Sequence, residues 1–351
     1  MKTVLAIDGG GVRGILPAMI LAEIEHRTGK PARDLFDVIA GTSTGAFIAA
    51  LATCNDGGAA PLSAQQIVDL YRSDAKRYFK RSSFGWFAPR YDSRSVVAVL
   101  RERLGATTLA ETATSLIIPV FALREGVPRV HYFNTLTAKQ LATDNHLLWQ
   151  VVRGATAAPA FFSPFTVESL DGSIETAVID GGVFANNPAM LGWLHAHQTL
   201  SSVFKSKKKG QVFALNEQFD TAADKLAATI VISIGTGFAN SPVDPRKAAG
   251  WGKVQWLRPM FDVMFEGQSA QVTAELAIAK KGELLHYFER LQPELSEEIG
   301  LDDVDKLAEL EDAARQYLEA DKKDKKLVDQ VCQQLCAVKP CDPPHQAPGR
   351  P

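Results

Sequence analysis

Cysteine is scarce, with four in 351 residues, and this usage points to a reducing compartment. Cys54 stands alone, while Cys332, Cys336 and Cys341 lie close to His345 near the carboxyl end. Zinc sites place ligand pairs on either side of a long loop, and that spacing is missing, so a thiol-bearing tail is the expectation. Charge of one sign is missing too. Against 38 Lys and Arg stand 40 Asp and Glu, a net charge of −2 that argues against a nucleic-acid binder. No apolar run approaches the roughly eighteen residues of a membrane span, and five apolar or neutral residues between Lys2 and Asp8 are too few for a signal peptide. A soluble, cytoplasmic chain is expected. Nor is there the carboxylate cluster that calcium or magnesium requires, so no metal and no cofactor is expected. Seven histidines are present, at 26, 131, 146, 195, 197, 286 and 345, and none sits in a recognisable catalytic setting.

At 46% apolar residues the chain can build one large domain, or a domain with an extension. Three glycine-rich signatures then stand out in order: Asp8-Gly9-Gly10-Gly11-Val12-Arg13-Gly14, Gly41-Thr42-Ser43-Thr44-Gly45 and Asp180-Gly181-Gly182. The central one has the G-x-S-x-G form, whose glycines let a strand and a helix close around a strained turn that exposes Oγ. Phe36–Ala40 before it reads as a buried strand and Ala46–Ala52 after it as a helix. Ser43 is therefore the candidate nucleophile, at a helix start that favours negative charge.

The first signature joins a strand at Thr3–Ile7 to a helix at Ile15–Arg27. Its glycines leave N–H groups unshielded and able to converge on a phosphate or an oxyanion. Beside a serine nucleophile the oxyanion is the more useful ligand. Arg13 either adds positive charge there or orders the loop by pairing with a carboxylate. The base is expected to be Asp180, at the end of a strand over Glu175–Ile179 and before two glycines that let the chain turn sharply.

In these segments the chain resembles the patatin-like phospholipases. Ala155–Phe162 and Asn186-Asn187-Pro188 extend the resemblance, which is close over residues 3 to 200 and looser to about 330. It implies a three-layer α/β/α fold with a mostly parallel sheet and a Ser-Asp dyad, Ser43 with Asp180, that uses no histidine. It implies an oxyanion hole at Gly9, Gly10 and Gly11, and a phospholipid or lysophospholipid substrate cleaved through an acyl-enzyme. Other readings remain open. Actin-like sugar kinases and ATPases also carry Asp-Gly-Gly-Gly loops, and Gly235-Thr236-Gly237 imitates a second phosphate loop. A storage protein with incidental hydrolysis is another. Nucleotide-activated patatin-like effectors of phage defence have this length, although no nucleotide site is recognisable.

Strands at Leu116–Leu123, Val130–Asn134 and Thr229–Ile234 alternate with helices at Ser63–Lys80 and Ser93–Leu104, both begun by serine caps. Residues 1–200 read as the catalytic core, 201–335 as its continuation with helical covering segments, and 336–351 as a disordered tail. Phe84–Pro89 is an aromatic loop that either rims an acyl pocket or packs under the surface. Trp251, Trp256, Met260, Phe261, Met264 and Phe265 either cover the active site or join the core. Lys205–Gly210 is a basic loop, solvated or in peripheral contact with anionic lipid. Oligomeric state has no signature. Because no carboxylate cluster is present, ester hydrolysis is expected to survive EDTA; activity lost in chelator and restored by calcium would show a metal-dependent enzyme instead.

Overall fold

Alternate residues of the central strands belong to two different cores. In β1 (Lys2–Ile7) Val4 and Ala6 join one buried cluster, while Leu5 and Ile7 join the other. The strand is apolar on both faces because helices cover both, as parallel sheets require. In this computed structural model the described residues are 1–55, 60–82, 89–123, 129–197, 228–239, 244–256, 259–322 and 326–341. Phe84–Ala88 of the aromatic loop, the basic loop at Lys205–Gly210 and His345 lie outside them.

β2 (Val38–Gly41), β3 (Ser115–Ala122), β7 (Thr229–Ile234) and β9 (Tyr287–Leu291) run parallel with β1. β4 (Arg129–Asn134), β5 (Phe165–Glu168) and β6 (Glu175–Asp180) extend the sheet antiparallel, and β8 (Phe238–Ala239) lies outside it. The order is β5-β6-β3-β2-β1-β7-β9, with β4 also on β3. Register decides the site. β2 pairs with Ser115–Ile117 of β3 and β6 with Val120–Ala122, while β4 takes Ile117–Ala122. Since β4 fills one edge of β3, β2 and β6 must share the other. They run towards each other along it, so their carboxyl ends meet near Pro119.

On one face lie α1 (Ile15–Thr28), α2 (Thr44–Thr53), α3 (Ala64–Tyr78), α4 (Ser93–Leu104) and α5 (Leu148–Ala155). On the other lie α6 (Ala189–Ala196) and α7 (Pro259–Lys281), through Ala189, Trp193, Leu276 and Ala279. The architecture is thus α/β with a central, mostly parallel sheet between helical layers. α1 ends where Gly29 takes the left-handed conformation, φ 67°. Ser63 caps α3 and shares a capping box with Gln66, but α4 is capped by Asp92, whose carboxylate accepts from the Arg94 N–H, and Ser93 is its first helical residue.

α8 (Leu307–Ala320) and α9 (Leu327–Val338) pack on the first face beside α1. The expected tail is therefore corrected in part. α9 runs to Val338, and Lys339 Nζ reaches Asp37 at 2.9 Å. Cys336 and Cys341 form a disulfide, while Cys54 and Cys332 are free and buried. That pairing removes two of the cysteines needed for zinc and replaces the expected free thiols of the tail. Among the described residues no helix is long and apolar enough to cross a membrane.

The Ser63–Gln66 box holds the start of a helix whose last two turns line the candidate site. Ser63→Ala is expected to lower unfolding free energy by about 1 kcal/mol. A denaturant midpoint unchanged from wild type would remove the box from the stability of α3.

Candidate active site

Ser43 sits between the end of β2 and the first residue of α2, with φ 53° and ψ −118°. A left-handed conformation at a non-glycine residue costs of order 1–3 kcal/mol and persists only where its surroundings enforce it. Here two glycines do so. A Cβ on Gly41 would lie 2.4 Å from the Gly45 carbonyl oxygen, and one on Gly45 would lie 2.2 Å from that of Ile7. Only bare backbone permits α2 to start this close to β1, and the turn leaves Ser43 half-buried at the cleft.

Asp180 arrives at the same place along β6. It is 4% exposed, lies beside the Ser43 hydroxyl in the same cleft, and accepts a hydrogen bond from the Gly182 N–H at 2.8 Å. Burial disfavours its charged form and pushes its pKa up to about 6, against the pull of the Ser43 hydroxyl and the Gly182 N–H. Among the described residues no cation pairs with it. Gly181 lets this turn press on β3, since a Cβ there would lie 2.2 Å from the Pro119 carbonyl oxygen.

Of the three loop glycines expected to hold an oxyanion, Gly9 has another duty: its N–H donates to the Asn186 carbonyl at 3.2 Å. Gly10 and Gly11 line the cleft with Ser43 and Asp180, and no backbone carbonyl among the described residues takes their N–H groups. Arg13 points to the second of its two sequence readings. It is 8% exposed and lies 3.7 Å from Asp262 and 3.5 Å from the Ile299 carbonyl, bordering a different cavity. Thr236, of the Gly235–Gly237 loop, donates to the Gly9 carbonyl at 2.8 Å, so the two glycine loops lean on each other.

The cleft is narrow, about 70 Å³, and almost wholly apolar. Phe47, Leu70, Tyr71, Tyr78, Phe79, Phe161 and Phe162 form its walls, and Phe265 of α7 closes the side above Gly182. The apolar segment after Trp251 thus contributes to the site through Phe265. Among the described residues no histidine borders it. His195 is bonded to Ser115, with burial pushing its pKa down to about 4, and His146 and His197 are bonded to Glu168 and Thr229.

Several residues gave no local signal. Tyr71 shares a hydrogen bond with Thr44 behind the elbow, Tyr78 donates to Thr156 at 2.8 Å, and burial raises both phenols. Arg290 pairs with Asp8 across 282 positions, at 2.8 Å. No motif joins residues so far apart; only the β1-β7-β9 order brings them together.

The family described as patatin-like phospholipase matches residues 5–193. Patatin-like protein 2 of Arabidopsis thaliana is 32% identical over 304 residues, 79% of this chain and 72% of that protein. Patatin-like protein 1 of Oryza sativa subsp. indica is 33% identical over 79% of this chain and 70% of its own. A Solanum tuberosum relative, 29% identical over 75% of this chain and 70% of its own, bears the name "Probable inactive patatin-3-Kuras 1". Among solved structures, VipD from Legionella pneumophila aligns with 91% of this chain and 67% of its own at 12% identity and a TM-score of 0.39.

A carboxylate whose pKa is raised in the folded state contributes stability that is present below its unfolded value and is lost as pH rises through the folded one. For Asp180 that window runs from 3.8 to about 6. Asp180→Asn is therefore expected to be more stable than wild type at pH 8, by on the order of 3 kcal/mol. The difference should shrink towards zero below pH 4. Equal denaturation midpoints at pH 8 would mean that the buried carboxylate carries no such cost.

Proposed function

The chain belongs to the patatin-like phospholipase family, and from that premise we propose that it is a lipid acyl hydrolase with Ser43 as nucleophile and Asp180 as general base. The observation that carries this reading is the meeting, in one apolar cleft, of a strained elbow serine and a buried carboxylate that no cation pairs with among the described residues. Asp180 takes the Ser43 proton as Oγ attacks the ester carbonyl, and the N–H groups of Gly10 and Gly11 hold the oxyanion. Collapse of that intermediate expels the alcohol, which takes the proton back from Asp180. Water, deprotonated by Asp180, then attacks the acyl-enzyme and releases the fatty acid as the proton passes from Asp180 to Ser43 Oγ.

Burial makes this base effective. A carboxylate at its ordinary pKa is too weak to take a serine proton readily, whereas one near 6 lies closer to the operating pH and is still ionised at neutrality. The aromatic walls suit an acyl chain. A phospholipid or lysophospholipid is the substrate class that the family supports, and the protein would meet it at a lipid surface.

Ser43→Ala is expected to abolish both ester hydrolysis and labelling by a fluorophosphonate probe. Asp180→Asn should lower kcat by about a hundredfold or more, and in wild type kcat/KM should rise with pH through an apparent pKa of about 6. A Ser43→Ala variant with near wild-type turnover of a p-nitrophenyl ester would remove the nucleophile assignment. Wild type that neither labels nor turns over lipid would be a binding or storage protein.

A further inference from the structure

The chain passes from β1 to β2 and β3 on one side, then to β7 and β9 on the other. The crevice at the carboxyl ends of β1 and β7 is therefore the switch point of the sheet, where open parallel sheets take their ligands. Ser43 follows β2 and Asp180 ends β6, and of the proposed chemistry only the oxyanion donors Gly10 and Gly11 come from the loop after β1, where they line the cleft of Ser43. A second cavity of about 480 Å³ lies there, bounded by Asp8, Thr236 and Arg290 at the strand ends and roofed by α7.

Charge in this cavity is layered. On the floor the buried Asp8 and the part-buried Arg290 pair with each other through contacts of 2.5 and 2.8 Å. Arg13 is the second cation of the cavity, facing Asp262 at 3.7 Å. It is more than nine-tenths buried, its contacts to Asp262 and Ile299 are long, and its Nε has no hydrogen-bond partner. At the rim stand Asp262, Glu266 and Glu298, the last two exposed. Asn186, 4% exposed with an unpartnered amide oxygen, borders both this cavity and the cleft of Ser43, as does Phe265.

We propose that this cavity is the head-group subsite of the hydrolase and that it takes a zwitterionic phosphodiester, with the phosphate at Arg13 and the ammonium among the rim carboxylates. The proposal rests on the acyl-hydrolase reading above. With the acyl chain in the apolar cleft and the ester at Ser43, the glycerol backbone passes Asn186, whose free oxygen accepts from its hydroxyl. A buried guanidinium with an unused donor calls for an anion, and the rim carboxylates call for a cation. A purely anionic head group meets the first demand and is repelled by the second.

The test uses lysophosphatidylcholine and lysophosphatidylglycerol of one acyl chain, with the p-nitrophenyl ester of that chain as a substrate without a head group. Wild type is expected to favour the choline lipid in kcat/KM by about tenfold or more. Glu266→Gln should cut that ratio several-fold, and Glu266→Lys should abolish or invert it; Glu266 is exposed, so neither change threatens the fold. Soluble phosphocholine should compete with the choline lipid. A wild-type ratio near one, or one that neither variant moves, overturns the head-group assignment while p-nitrophenyl ester turnover keeps the hydrolase reading. Phosphocholine that instead alters the p-nitrophenyl ester rate overturns it in favour of a site for the free phospho-base. Wild type inert towards all three esters overturns both readings.

Discussion

The site depends on one contact of backbone against backbone, where Gly45 at the start of α2 meets the Ile7 carbonyl at the end of β1. Any side chain there would push the helix away from the sheet. Because the helix starts so close, the chain must turn within Thr42 and Ser43, and Ser43 is left in a conformation that L residues avoid. The strain is held by what surrounds it: α2 is buried along its length, and β1 is hydrogen-bonded on both edges, to β2 and to β7. The same approach brings the β1 loop to the nucleophile, since a Cβ on Gly9 would lie 3.2 Å from the Ser43 Cβ.

Two buried carboxylates show how environment separates roles. Asp180 ends a strand and Asp8 follows one, and both come after apolar residues. Burial pushes the Asp8 carboxyl up and the Arg290 guanidinium clamped to it pulls the other way, a pairing that fixes the loop after β1. Among the described residues Asp180 has only a neighbouring serine hydroxyl and one backbone N–H. Burial without a cation leaves it basic, at a cost in stability that the fold must offset.

α7 ties the two cavities together. Phe265 borders both, and its ring would meet a Cβ on Gly182 at 3.2 Å, so it packs over the turn that carries the base. Asp262 and Glu266, on the same helix, face the polar cavity. Beyond the ring contact of Phe261 with Phe161, the helix leaves Met260 and Val263 exposed. One element thus separates an apolar space from a charged one within a few ångströms.

The amino-acid sequence by itself determined what depends on near neighbours. The apolar runs at Thr3–Ile7 and Thr229–Ile234 became strands, the Ser63 cap began a helix, and the residue types around Ser43 could form only a strand, an elbow and a helix. The family resemblance was legible for the same reason, because close backbone approach demands glycine at fixed spacing. Tertiary structure alone decided which groups meet. Asp180 reaches Ser43 because β2 and β6 share an edge of β3, a matter of register that no local pattern encodes. Gly9 turned from an expected oxyanion donor to a partner of Asn186, and Arg13 faced Asp262. The disulfide of Cys336 with Cys341, and the pairing of Asp8 with Arg290, came from the way α9 ends and from the order of the sheet. Short-range sterics are written in consecutive residues, whereas burial and charge pairing are set by whatever the folded chain brings alongside.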